Sequence, residues 1–129
     1  MSAMTDALEN ALINHIFGNG ASAYTAPSPW VGLFSVTPTD SSSGTEVSGG
    51  GYVRLRVTNW DAAASGATEN SSAITFAQAS ASYNVCGVAI LDASTAGSLL
   101  LFGPLSTSKL VGVNDNFEFA ASALDVSLD

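Results

Sequence analysis

Apolar residues recur along this chain with two periods, and the change from one to the other near Pro29 divides it. Ahead of that point Leu8, Leu12, Ile13, Ile16 and Phe17 follow at steps of four, one, three and one residues. Such steps gather on one face at 3.6 residues per turn and predict a helix over Asp6–Phe17. Asp6 is placed to cap the free N–H groups of the first turn, Glu9 follows three residues on as in a capping box, and Gly18 and Gly20 stop the helix. A dozen residues is marginal for a helix in isolation, so the apolar face must dock. Its own domain and a neighbouring molecule are both open as the surface that receives it.

Beyond Pro29 the period falls to two. In Tyr52–Thr58, Val53, Leu55 and Val57 alternate with Tyr52, Arg54, Arg56 and Thr58, the pattern of a half-buried antiparallel strand. Trp30–Val36 is apolar on both faces and predicts a more central strand. Shorter strands follow at Ala73–Ala77, Val85–Leu91, Leu99–Phe102, Asn116–Ala120 and Leu124–Leu128, and a turn-rich Asp92–Gly97 separates the second from the third of the set. One helix and seven short strands punctuated by Gly, Pro and Ser predict an all-β chain, an antiparallel β-sandwich or jelly-roll-like domain with one N-terminal α-helix.

Two long stretches lack apolar periodicity. Thr37–Gly51 ends in Gly49-Gly50-Gly51, and Asp61–Ser72 is rich in Ala, Ser and Gly. Loops of this length in a small domain serve as contact surfaces or mobile segments. Neither reads as an interdomain linker, since too little chain precedes them to build a second core. The expected organisation is a helical appendage over 1–20 and a single β-sandwich domain over 21–129.

Composition narrows the function. Ala, Ser, Thr and Gly make up 61 of the 129 residues, charged residues only 11%, and three cations stand against eleven acids for a net charge of −8. With 47% hydrophobic residues the chain is globular. Three cations cannot neutralise a run of phosphates, which argues against nucleic acid, and against an anionic membrane surface for the same reason. No apolar run is long enough to span a bilayer as a helix, and the N-terminus lacks the basic flank of a secretory signal.

Material for chemistry is equally thin. A Ser-His-Asp set would have to use His15, the sole histidine, near the end of the predicted helix. The eleven acids offer many pairs but mostly follow turns or flank strands. Asp40–Glu46 alternates oxygen-bearing residues around Gly44 but is too short and too poor in acids for a calcium loop. Gly49-Gly50-Gly51 precedes a strand instead of a helix and has no following Lys, so it turns the chain and does not cradle phosphate. Cys86 is alone, can form no internal disulfide, and is expected to pack as a small apolar residue. The expectation is a chain with no catalytic residues, cofactor or metal, and not an enzyme.

Arg54 and Arg56 carry two of the three positive charges and share a face at period two. A solvated ion pair is the plain reading. The sharper one sets this strip against an acidic edge of an identical subunit. With the helix positions Leu8, Leu12 and Ile16, the two arginines form the candidate protein-interface set.

The remaining segments to note are Trp30-Val-Gly-Leu-Phe-Ser-Val-Thr-Pro-Thr-Asp40, Gly44-Thr-Glu-Val-Ser-Gly-Gly-Gly-Tyr52 with its arginine-bearing strand, Asn70-Ser-Ser-Ala-Ile-Thr-Phe76, Gly87-Val-Ala-Ile-Leu-Asp92, Gly97-Ser-Leu-Leu-Leu-Phe-Gly103 and Asp115-Asn-Phe-Glu-Phe-Ala-Ala120. In order and spacing they resemble a family of small virion structural proteins of tailed bacteriophages. Members are labelled head-decoration (cement) or tail-fibre proteins, and the family brings no catalytic residues. The resemblance implies a virion protein made in the host cytoplasm. Capsid decoration is the first expectation: a homotrimer on the capsid exterior that contacts the major capsid protein. A tail-fibre-associated or adaptor protein bound to other tail proteins is the alternative. A host-surface glycan-binding module using Trp30, Trp60 or Tyr83 is a third.

Overall fold

The computed structural model describes residues 3–18 and 27–128. Among them lie one helix, α1 (Asp6–Phe17), and ten strands. These are β1 (Ala3–Met4), β2 (Trp30–Val36), β3 (Thr45–Glu46), β4 (Leu55–Arg56), β5 (Ala67–Glu69), β6 (Ile74–Thr75), β7 (Tyr83–Leu91), β8 (Leu99–Val111), β9 (Glu118–Phe119) and β10 (Asp125–Ser127). All pairings are antiparallel. The result is the expected all-β sandwich with an N-terminal helix.

The main sheet runs β1-β8-β7-β2, with β3 and β4 in succession along the outer edge of β2. In the central pair Val31 lies opposite Ile90 and Leu33 opposite Val88. These four point into the large core with Val85, Phe76, Phe117, Phe119 and Leu124. Alternate positions on the other face gather Phe34, Ala89, Leu91 and Phe102 into a smaller cluster. Both faces of β2 and β7 are therefore buried, which is why their sequences run apolar instead of alternating.

Facing the large core is a second layer made from two chain segments. β5 pairs with β10 and β6 with β9, and Phe76 N donates to Phe117 O (2.9 Å) and Ala79 N to Asp115 O (2.9 Å). The two short ladders lie along one antiparallel ribbon, interrupted around Asn70. That side chain is fully buried. Its amide donates to Ser72 O (2.8 Å) and Ala120 O (2.9 Å), and its carbonyl accepts from Leu124 N (2.8 Å). All three side-chain bonds go to main-chain groups that the interrupted ladder leaves without a regular partner.

Several expectations are corrected in detail. Thr5, not Asp6, is the helix N-cap: its extended backbone (φ −85°, ψ 154°) lets Oγ1 accept from Leu8 N. Thr5 also donates from N to Leu100 O (2.9 Å) and from Oγ1 to Leu99 O (2.7 Å), which fixes the helix start to β8. Gly18 ends the helix in the left-handed region (φ 67°). Gly20 and the expected 20/21 boundary lie outside the described residues, while β1 joins the N-terminal segment to the main sheet. The Tyr52–Thr58 alternation holds only in part. Leu55 and Val57 face the core, but so does Tyr52, whereas Val53 is 60% exposed. β8 runs nine residues beyond its expected end. Between the pairs Gly87↔Pro104 and Val85↔Lys109, β7 advances two residues and β8 five, so Leu105–Ser108 bulge away from the sheet.

Candidate interaction surfaces

The apolar residues of the helix span a broad arc, docked along one edge and turned outward along the other. Leu8 is buried (7% exposed) and Leu12 half-buried, on the side that meets the domain. Ile13, Ile16 and Phe17 are 52%, 71% and 72% exposed. At 100° per residue, Ile13 and Phe17 lie about 140° and about 180° around the axis from Leu8, and Ile16 about 80°. The single apolar face read from the spacing is thus one arc about 180° wide, of which Leu8 and Leu12 are docked and Ile16, Ile13 and Phe17 form an outward stripe. Of the three predicted helix positions, Leu8 and Leu12 hold the helix to its own domain and Ile16 reaches solvent. Ile13 and Phe17 were absent from the predicted interface set. The same wheel that grouped them with Leu8 contained the angle that separates them.

The two arginines also part company. Arg54 is drawn inward, its side chain only 9% exposed. Its Nε and Nη2 grip the two carboxylate oxygens of Glu46 (2.7 Å each), and Nη1 donates to Ala93 O and Ala96 O (2.8 Å each). Four bonds use most of the guanidinium's five donors. Glu46 Oε1 also accepts from the Tyr52 hydroxyl (2.8 Å), and that hydroxyl accepts from Leu33 N (2.9 Å). Burial pushes the Glu46 carboxyl up, but the bonds from Arg54 and Tyr52 and the arginine charge outweigh it and hold it below its ordinary range. Arg56, opposite Trp30 on β2, is exposed and donates to Ser28 Oγ (2.9 Å).

This network exists because the sheet edge is interrupted. The chain pairs with β2 as β3, leaves, and returns as β4. Gly49, Gly50 and Gly51 all take left-handed backbone angles (φ 77°, 62°, 77°), the sharp turn their sequence predicts. The excursion crosses to the 78–81 segment, where Ser80 N donates to Gly50 O (3.0 Å).

The family model for the podophage GP4 fiber I protein gp80 matches residues 3–127. The chain belongs to this family. It is accordingly a structural protein of tailed-phage virions, in a family described by its fibre. No curated protein matches the chain.

In this fibre-family fold, the residues with conventional chemistry stand apart. Among the described residues, no three His, Cys, Asp or Glu side chains gather as a metal-binding group would. Cys86 donates from Sγ to Ser35 O (2.9 Å). Trp60 and Tyr83 pack against the large core; Trp60 Nε1 donates to Val57 O (3.0 Å) and the Tyr83 hydroxyl is buried without a protein partner. No described helix is long and apolar enough to cross a membrane. A cleft of about 390 Å³ opens where the β8 bulge parts from the ribbon, with Leu105, Phe117 and Phe119 among its apolar walls and Lys109, Glu118 and Asp125 among its polar ones. Lys109 Nζ lies 5.9 Å from the centre of the Phe117 ring.

Proposed function

We propose that this chain is a non-catalytic building block of the phage tail, a fibre-associated subunit that works by packing against copies of itself and against other tail proteins. The family match over residues 3–127 carries the reading. Capsid decoration, the first expectation from the sequence, shares its physics: a small acidic β-sandwich that acts through its surface. The fibre description of the family favours the tail instead.

The surface is consistent with assembly through uncharged contacts. With a net charge of −8, copies meeting through their general surface would repel one another. Arg54 is consumed within the subunit, Lys109 lies over Phe117, and Arg56 is left to meet an acidic neighbour. Within the expected interface set, Ile16 and Arg56 are the outward members, while Leu8, Leu12 and Arg54 position them. The homotrimer belongs to the capsid-decoration expectation, in which such proteins sit at threefold positions.

Copy number in purified particles tests the assignment. A few copies per virion, released with the tail on disruption, is the expected result. Copies in proportion to the capsid lattice would return the protein to the shell, and absence from mature particles would end the virion reading. Purified protein should show no turnover, and His15→Ala should leave incorporation unchanged.

A further inference from the structure

We propose that the outward stripe of α1, Ile13, Ile16 and Phe17, is where copies of this chain meet, helix against helix. The inference rests on the reading that the subunit self-associates, and assigns that contact to one surface. Three observations support it. The stripe turns away from the docked contact: Leu8 is buried while Ile16 and Phe17 are more than two-thirds exposed, and Phe17 lies on the opposite side of the helix from Leu8. It is also uncharged. Asn10–Phe17 contains no Asp, Glu, Lys or Arg, and Asp6 and Glu9 stay in the first turn, at the end fixed to β8.

Area is the third. With large side chains offering ~150–250 Å² each when fully buried, the three exposures amount to roughly 400 Å², about half of what one partner contributes to a standard interface of ~800 Å² a side. Exposed Asn10 and Asn14 border it with polar surface. A second copy matches this surface because it brings the same uncharged apolar stripe, so that two acidic subunits can meet there without like-charge repulsion.

The full chain should be studied by analytical ultracentrifugation as wild type and as the double variant Ile16→Glu/Phe17→Glu, with Ile13→Asn as a milder second variant. All three positions are solvent-facing within one subunit, so melting temperature should hold while self-association weakens by at least ~100-fold in the double variant. Ile16→Cys in a Cys86→Ser background should form an intermolecular disulfide on mild oxidation. A wild type that stays monomeric at high concentration overturns the proposal, and so does a double variant that folds and still assembles. Incorporation into particles separates this from the broader reading. Wild-type protein in the tail with the double variant incorporated equally well sinks only the helix contact; wild-type protein missing from virions sinks the tail assignment itself.

Discussion

Two ladders in this molecule are broken, and polar side chains mend both, but with opposite chemistry. In the ribbon of β5, β6, β9 and β10 the break is closed by Asn70, neutral and fully buried, with both ends of its amide bonded to main chain. On the edge of β2 the break between β3 and β4 is closed by Tyr52, Glu46 and Arg54, with the carboxylate side chain 25% exposed. The contrast shows how burial sets the allowed chemistry. A neutral amide can satisfy three main-chain groups deep in the core without carrying a charge there. Near the rim an ion pair is affordable, and its long side chains reach further. Arg54 bridges the excursion of one edge to the Ala93–Ala96 turn between β7 and β8.

The comparison breaks most visibly at Asn70. Asn70→Ala removes three bonds at once and leaves Leu124 N–H and the carbonyls of Ser72 and Ala120 without the partner they had. At ~1–3 kcal/mol per stranded buried group, the expected loss is about 4 kcal/mol by urea or thermal unfolding, independent of pH across the carboxylate range. A loss below about 1 kcal/mol would show that the ribbon closes without its amide.

Removal of Arg54 tests the other break. Arg54→Ala strands a partly buried carboxylate and frees the Ala93–Ala96 turn, for an expected cost of about 2–3 kcal/mol, less than the 3–5 kcal/mol of a deeply buried pair because Glu46 keeps some water. Its pH behaviour distinguishes it from Asn70. The folded Glu46 carboxyl titrates below its ordinary value of 4.5, so the unfolded chain binds the proton first. The stabilisation is complete above that ordinary value and drains away as pH falls through the folded one. Glu46→Gln should flatten this part of the acid limb of a stability–pH curve, and Asn70→Ala should leave it unchanged.

How much of this could be read in advance follows from the same contrast. Where burial itself writes the pattern, the sequence is legible. The limits of α1 and β2 are those the spacing predicts, and β7 begins two residues early. β1, β3 and β5, which no spacing predicted, are only two or three residues long. They are strands because of what they pair with, and two or three residues carry no period. The far half of β8 was hidden for another reason: Pro104 reads as a strand end, and Ser106–Leu110 are exposed and so lack an inward-facing set. Glu46 and Arg54 are eight residues apart across three glycines, and no local spacing announces that contact. The outward stripe of the helix was legible in the width of its apolar arc, which is too broad for one contact to cover.

Tyr52 sharpens the picture at a smaller scale. Its hydroxyl substitutes for a missing strand at Leu33 N, so Tyr52→Phe should cost about 1–2 kcal/mol. Burial, followed by the neighbouring Glu46, raises its pKa well above the ordinary 10, against the bond from Leu33. The unfolded chain therefore loses the proton first as pH rises. Stability that is intact below pH 10 should decline above it, and less so in Tyr52→Phe.

Tyr83 provides the internal control. Its ring packs edge-on to Tyr52 with centroids 6.3 Å apart, yet its buried hydroxyl has no partner among the described residues. Burial alone raises its pKa. If the worth of a mend lies in the bonds it completes, not in the ring that carries the hydroxyl, the same substitution must have opposite signs at the two sites. Tyr83→Phe keeps the ring and removes only an unpaired oxygen, so it should stabilise the fold by about 1 kcal/mol where Tyr52→Phe destabilises it. Chemical denaturation of both single variants and the double decides the matter. Equal losses at the two positions would mean that the hydroxyls matter through general packing, and the account of the mended edge would have to be abandoned.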